Sequence, residues 1–239
     1  LARDIHQHNL DRQKIAEVML NEAKESFGKV TDKNKILIAS NKDWNPGIVG
    51  LVAGKLKDFY NRPVIIIGWN GQSWTGSGRS IEEFNITKAL GECNKYLEKF
   101  GGHSKACGMT ISGDKNLAAF KEAITRIATE QITDPEALRP TLEVDVETQL
   151  SELNWELWDE LEKFEPFAEA NPMPLFLLKH VKIEEVDVIG KNKNTLRFYI
   201  IQNGVGHKAI AFGRAEDWQT EIKTGDIVDL VVEFGINQW

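Results

Sequence analysis

Three short clusters in the first half of the chain combine glycines with the side-chain types that hold phosphate. Gly76-Ser77-Gly78-Arg79-Ser80 sets a hydroxyl and a planar guanidinium fork among glycines that let a ligand approach the backbone. Ile81 occupies the third glycine position of a dinucleotide fingerprint and no Gly-Lys-Ser/Thr follows, so neither a Rossmann nor a P-loop motif is present. A turn with an exposed arginine is the plain reading of the same residues. Trp44-Asn45-Pro46-Gly47 stands between a strand exit and a helix start, where free N–H groups and the positive dipole end could hold a phosphate. A capped helix start with Trp44 packed on a sheet is the plainer reading of the spacing alone. Gly101-Gly102-His103-Ser104-Lys105-Ala106-Cys107-Gly108 reads as a tight exposed turn between a helix end and a strand, from which His103 could donate to a phosphate or base while Lys105 adds charge.

Other constellations are weaker. His103 and Cys107 as a nucleophilic pair need not face each other, and a cysteine between Ala106 and Gly108 reads as a small buried hydrophobe. They lack the second pair of ligands that zinc requires, and His6 with His8 reads as solvated, so no metal site is expected. The paired acids Glu82-Glu83, Asp159-Glu160 and Glu184-Glu185 have no spacing that sets two carboxylates across a substrate. Trp155 and Trp158, three apart on an amphipathic helix, are expected to pack. Phe198, Tyr199 and Phe212, near Lys191, Lys193, Arg197 and Lys208, are the candidates for stacking bases on a sheet face. Half of such aromatics must point into a core.

Elements that could position these groups follow from the apolar periodicity. Residues 4–27 read as a helix with Ile15, Val18, Met19 and Ala23 on its packed face. A strand at 35–39 leads to a helix that Asn45 caps, with Pro46 at its first position and Val49, Val52, Ala53, Leu56 and Phe59 inward. A strand at 63–69, a two-residue Asn70-Gly71 turn and a returning strand at 73–77 form a hairpin. Asn85 caps a further helix that Gly101 would end in a left-handed cap, followed by a strand at 106–111 and a helix at 115–131. That completes a mixed sheet with flanking helices, an α/β domain over 29–133 preceded by a connecting helix over 1–28. Two prolines within 134–140 mark a linker. Beyond it, a strand at 141–147 and a helix begun by Ser151, with Leu153, Leu157, Leu161 and Phe164 inward, precede strands at 175–189, 195–202, 207–213 and 226–235. The domain over 141–239 is therefore mostly β, a small barrel.

The 239 residues are 41% hydrophobic and 27% charged, a globular composition, and no run approaches the roughly 20 apolar residues of a membrane span. The net charge of −7 argues at first against a nucleic-acid partner, but it is unevenly placed. Residues 1–133 hold 19 Lys+Arg against 15 Asp+Glu, and residues 134–165 hold 11 acids against Arg139 and Lys163. Residues 176–215 return to seven bases against three acids, so basic faces coexist with an acidic, solvated segment. Two cysteines build no disulfide framework, and the reducing cytoplasm is the expected location. The start lacks both an initiator Met and a signal-peptide layout, as expected of a piece of something longer.

The three clusters in this order, Trp44 to Gly50, Gly76 to Ser80 and Phe100 to Gly108, resemble the RecJ single-strand-specific 5′-to-3′ DNA exonucleases of the DHH phosphoesterase superfamily. Pro166-Phe167, Asn171-Pro172, Pro174-Leu175-Phe176 and Ala209 to Phe212 resemble that family's OB-fold domain. The resemblance implies a DHH-associated α/β domain followed by an OB-fold-like domain that binds single-stranded DNA. It gives Ser77 and Arg79 the 5′-terminal phosphate, and places Gly101, Gly102 and His103 in the substrate cleft. Arg62, before Pro63, would add charge. Asn45 stands where the family usually has His, keeping hydrogen bonding without acid–base chemistry, and Cys107 replaces an Ala. The family's manganese or magnesium ions are held by a DHH domain with no counterpart here, so the fragment is expected to be inactive alone. The last residues, Asn237 to Trp239, fall where strands of the OB domain would still have to run. Other expectations are a role in DNA repair and recombination, a monomeric state, and single-strand-binding protein or a helicase as partners. A DHH-type phosphodiesterase acting on short or cyclic nucleotides and a non-catalytic single-strand-binding module remain as alternatives.

Overall fold

Alternating apolar side chains on one short strand, Val64-Ile65-Ile66-Ile67, feed two separate cores. Val64 and Ile66 face one way and Ile65 and Ile67 the other, and all four are fully buried. A strand buried on both faces must lie inside a sheet with helices on each side. The computed structural model describes residues 2–168 and 170–236, and the Asn237–Trp239 end therefore lies outside the described residues.

The chain divides into two units, 1–140 and 141–239. In the first, α1 (Ala2–Phe27) is followed by β1 (Leu37–Asn41), α2 (Val49–Tyr60), β2 (Val64–Trp69), β3 (Trp74–Arg79), α3 (Ile86–Glu92), β4 (Lys99–His103), β5 (Ala106–Ile111) and α4 (Asp114–Gln131). The sheet order is β1-β2-β3-β5-β4, with β1 parallel to β2 and all other pairs antiparallel. α1 and α2 cover one face through Met19, Ala23, Val52 and Leu56 against Leu37, Ala39, Val64 and Ile66. α3 and α4 cover the other through Ile86, Leu90, Phe120 and Ile124 against Ile65, Ile67, Met109 and Ile111. Each such aliphatic side chain contributes about 1.5–3 kcal/mol by leaving water.

Several expectations are corrected. On α1 the packed stripe is Ala16, Met19 and Ala23, while Ile15 and Val18 face solvent. α2 begins at Val49, because Asn45 spends its Oδ1 on the Gly47 N–H at 2.8 Å in a separate turn and the residue ahead of the helix, Ile48, offers no capping oxygen. Phe59 is exposed, its ring covered by the Lys24 ammonium at 3.7 Å. The β2–β3 loop has four residues, 70–73, with Asn70 Oδ1 accepting the N–H groups of Gln72 and Ser73. Asn85 caps α3 through the Lys88 N–H, but the helix ends at Glu92 and Gly101 lies inside β4. Gly101 to His103 are thus strand residues, and the turn is Ser104-Lys105. Within residues 134–140, Pro135–Leu138 form a 3-10 turn that buries Leu138.

The second unit holds β6 (Val146–Thr148), α5 (Trp155–Leu161), β7 (Leu175–Ile189), β8 (Thr195–Gln202), β9 (Val205–Ala211), α6 (Ala215–Trp218) and β10 (Ile227–Glu233). The order is β10-β7-β8-β9, with β6 parallel to the start of β7. The long β7 pairs β10 along its first half and β8 along its second, with irregular register between Ile183 and Glu185, and the sheet curls into an OB-like half-barrel. Its core joins Phe176, Leu178, Val181, Ile183, Leu196, Phe198 and Ile200 to Leu150, Leu153 and Leu161. The strand expected at 141–147 is only Val146–Thr148, and the helix starts at Trp155 behind an Asn154 cap, not at Ser151. Phe164 and Trp155 are exposed, whereas Trp158 packs edge-on against Phe234.

Candidate nucleic-acid interface

β3 alternates so that Trp74, Gly76 and Gly78 face the α3/α4 core and Thr75, Ser77 and Arg79 face the α2 side. The two glycines serve packing rather than ligand approach. A Cβ at Gly78 would lie 2.6 Å from both Cys107 Sγ and Ile86 Cδ1, and one at Gly76 would lie 3.0 Å from Ile67 Cγ1. Core side chains thus fill the space beneath β3 and leave its other face to the hydroxyl and the guanidinium.

On that face the three strands beyond α2 make cross-strand rows. Arg79 pairs with Ala106 and Ala106 with His103; Ser77 with Gly108 and Gly108 with Gly101; Thr75 with Thr110 and Thr110 with Lys99. Strand spacing puts His103 about 10 Å from Arg79 across the sheet. All of β4 and Gly108 are exposed, so this half of the face is an open shelf with glycine at its centre. Gly101 and Gly108 have an ordinary φ and room for a Cβ, whereas Gly102 adopts φ +145° with Ala106 O only 2.2 Å from where its Cβ would be. Packing therefore demands Gly102 but neither Gly101 nor Gly108.

Arg79 lies back along β3. Its Nη1 donates to Ser77 Oγ at 2.9 Å and to Gly78 O at 2.9 Å, while Ser77 Oγ donates to Cys107 O at 3.1 Å. Gly50, in the first turn of α2, sits against both, its Cβ position 3.2 Å from Ser77 Oγ and 3.3 Å from Arg79 Nη2. The first cluster of the sequence is thus brought to the second, through Gly50 rather than Asn45. The guanidinium pairs with no carboxylate among the described residues. An uncapped helix start and a guanidinium free of any carboxylate partner here stand side by side, and both carry charge of the sign that attracts an anion.

His103 closes the shelf. Its carbonyl accepts Thr87 Oγ1–H at 2.7 Å, and its Nδ1 accepts the Lys105 N–H at 3.4 Å, which leaves Nε2 as the donor toward solvent. Lys105 itself is paired with Glu82. Cys107 is buried beneath the shelf, its thiol pushed up to about 11 by desolvation, and does no nucleophilic work beside His103. Arg62 lies apart, almost buried. It donates to Asn34 O at 2.9 Å, Tyr60 O at 2.8 Å and Thr31 O at 3.4 Å and pairs with Asp32 at 3.3 Å, so it ties chain segments together instead of facing the shelf.

In the second unit, Arg197 and Tyr199 point outward from β8, and Lys208 of β9 lies opposite Tyr199. The Tyr199 ring crosses Gly206, where a Cβ would come within 2.3 Å of its hydroxyl. Arg197 is held by Asp187 at 2.7 Å, and Lys191 and Lys193 are exposed in the β7–β8 turn. Phe198 belongs to the core, and Phe212 is exposed just beyond the end of β9.

Residue type and spacing missed Gly50 and Gly108, which carry no side chain. Their only sequence signal is membership of the first and third clusters.

The sequence model of the DHHA1 domain matches residues 33–130, and that of the RecJ OB domain matches residues 144–239. The single-stranded-DNA-specific exonuclease RecJ of Bacillus subtilis is 32% identical over the whole chain, and that of Haemophilus influenzae is 30% identical over 89% of it. The match covers 30% of the first protein and 38% of the second, so the chain spans about a third of these relatives. The crystal structure of Thermus thermophilus RecJ in complex with Mn2+ superposes over 99% of this chain and 33% of that one, with a TM-score of 0.77 at 26% identity.

Proposed function

Because the chain belongs to the RecJ family, we propose that it is the DNA-holding part of a single-strand-specific DNA exonuclease and grips the 5′-terminal phosphate between Arg79, Ser77 and the head of α2. The observation that carries this reading is the carboxylate-free guanidinium of Arg79, resting on Ser77 beneath an uncapped helix start. Both groups favour a dianion over a hydroxyl, so the pocket selects strands by their end. The first nucleotide then lies on the bare backbone of Gly108 and Gly101, with His103 Nε2–H as a donor at the rim. Holding the 5′ end directs removal of nucleotides toward the 3′ end.

The Thermus thermophilus structures hold manganese or magnesium. Among the described residues no three His, Cys, Asp or Glu side chains gather as a metal site, so this chain does not fit that ion. Hydrolysis and metal ligation belong to residues outside this sequence, and the chain alone binds without cleaving. On the half-barrel, Tyr199 stacks a base while Lys208, Lys191, Lys193 and Arg197 meet backbone phosphates. In this reading the enzyme is a monomer that works in the cytoplasm in DNA repair and recombination, on strands supplied by a helicase or held by single-strand-binding protein. Among the described residues no helix is long and apolar enough to cross a membrane.

The test is fluorescence anisotropy of the 239-residue chain with a short single strand carrying a 5′-phosphate or a 5′-hydroxyl, titrated with salt to count the phosphates contacted. The phosphorylated strand should bind more tightly, and Arg79→Ala should remove about 1–3 kcal/mol from that strand while sparing the other. Equal binding of the two ends by the unmodified chain refutes the end-gripping pocket.

A further inference from the structure

We propose that Glu22, on α1, is a positioning residue that sets the phosphate grip through Trp44; the inference rests on the role given above to Ser77 and Arg79. The loop between β1 and α2 decides where the first turn of α2 stands over Arg79. Its internal bonds are local: Asn41 Oδ1 accepts the Asp43 N–H, Asn45 Oδ1 accepts the Gly47 N–H, and Asn45 O accepts the Ile48 N–H. These bonds shape the loop but do not fix it to the rest of the unit.

Lys42 reaches Asp114 of α4 at 3.7 Å on the exposed side, and Trp44 adds two closer contacts. The Trp44 carbonyl passes so close over β2 that a Cβ at Gly68 would lie 2.3 Å from it, which fixes the height of the loop above the sheet. The Trp44 indole Nε1–H donates to Glu22 Oε2 at 2.6 Å, twenty-two residues back on α1. Among the described residues this is the side-chain hydrogen bond that ties the loop to α1. Trp44 is 4% exposed while Glu22 is exposed, so the carboxylate meets the edge of a buried indole from the solvent side. From Trp44 the chain runs in six residues to Gly50, whose backbone stands so near Ser77 and Arg79 that a Cβ there would lie 3.2 and 3.3 Å from Ser77 Oγ and Arg79 Nη2. A shift of the loop by a fraction of an ångström is therefore felt at the guanidinium.

Glu22 also brings a negative charge toward a pocket meant for phosphate, and the two effects have opposite signs. If positioning dominates, the acceptor matters and the charge does not. The test measures binding of 5′-phosphorylated and 5′-hydroxyl single strands to the 239-residue chain, to Glu22→Leu, to Glu22→Gln and to Arg79→Ala, with melting temperatures. Glu22→Leu should lose about threefold to tenfold of the preference for the phosphorylated strand, the worth of one hydrogen bond. Glu22→Gln, whose amide oxygen still accepts the indole N–H, should keep it. The inference is overturned if Glu22→Leu keeps the full preference, if both variants bind phosphate more tightly as charge removal alone would give, or if both strand ends weaken equally with a lowered melting temperature. An unmodified chain with no preference, matched by Arg79→Ala, overturns the pocket itself and this inference with it.

Discussion

Adding one methyl group at Gly50 separates stability from binding. A Cβ there would lie 3.2 Å from Ser77 Oγ and 3.3 Å from Arg79 Nη2, closer than ordinary contact by a few tenths of an ångström. Ser77 belongs to a paired strand and donates to Cys107 O, so the flexible end of Arg79 is what yields. The helix gains up to about 1 kcal/mol when Ala replaces Gly, less in its first turn, and crowding offsets part of that. The net change should stay within about 1 kcal/mol, a melting shift of at most about 4 °C. The displaced guanidinium should lose about half of a charge-assisted bond, about 1 kcal/mol, or roughly fivefold in affinity for a 5′-phosphorylated strand. Gly54→Ala is the control, because nothing lies within 4 Å of its Cβ position on the same helix. It should stabilise without touching affinity. Anisotropy titrations beside thermal melts read both quantities. If Gly50→Ala bound the phosphorylated strand as the unmodified chain does, the placement of α2 over Arg79 would have no bearing on the ligand.

Arg62→Met should cost about 2–4 kcal/mol in urea unfolding, because Asn34 O and Tyr60 O lose their buried donor, with no change in end preference. Tyr199→Ala should weaken binding of a single strand by about 1–3 kcal/mol without changing the preference for a 5′-phosphate, as comparative titrations would show. Both thiols are pushed up to about 11 by burial, so unfolding releases protons above pH 9 and the fold should lose about 2–3 kcal/mol per thiol between pH 9 and 11. Below about pH 8 the thiols contribute almost no slope, and Cys93→Ala should remove one thiol's share of the alkaline loss in urea melts. At pH 8 neither thiol should react with a disulfide reagent until the chain is unfolded.

Much of this was legible because the strongest signals are periodic and local. The run Val64 to Ile67, the Asn85 cap and the strands at 175–189 and 195–202 stand where the pattern puts them. Glycine misled in two directions. Gly101 after an apolar helical stretch looks like a helix end, yet a strand at 106–111 needs an antiparallel neighbour, and Ser104-Lys105 is the two-residue turn that supplies one. Gly76 and Gly78 look like ligand-facing glycines but make room for Ile67 across the hairpin and for Cys107 on β5. Asn45 next to Pro46 has the composition of a cap, but the Asx turn to Gly47 takes the same oxygen first. That Arg62 would vanish into a nest of carbonyls depends on segments thirty residues upstream, and no local pattern announces it.

The edge of the first sheet has one more consequence. β4 is an edge strand with every residue exposed, the kind of element that recruits strands from neighbouring molecules and seeds aggregates. Lys99 opens it with a charge, and two of its five residues are glycines, which have little tendency to extend or to grip a passing chain. The bareness on which the proposed nucleotide would lie thus also makes this edge a poor template for a strand of another molecule. Valines at Gly101 and Gly108 would close the shelf and at the same time raise the β-propensity of an exposed rim, so loss of binding and loss of solubility should arrive together.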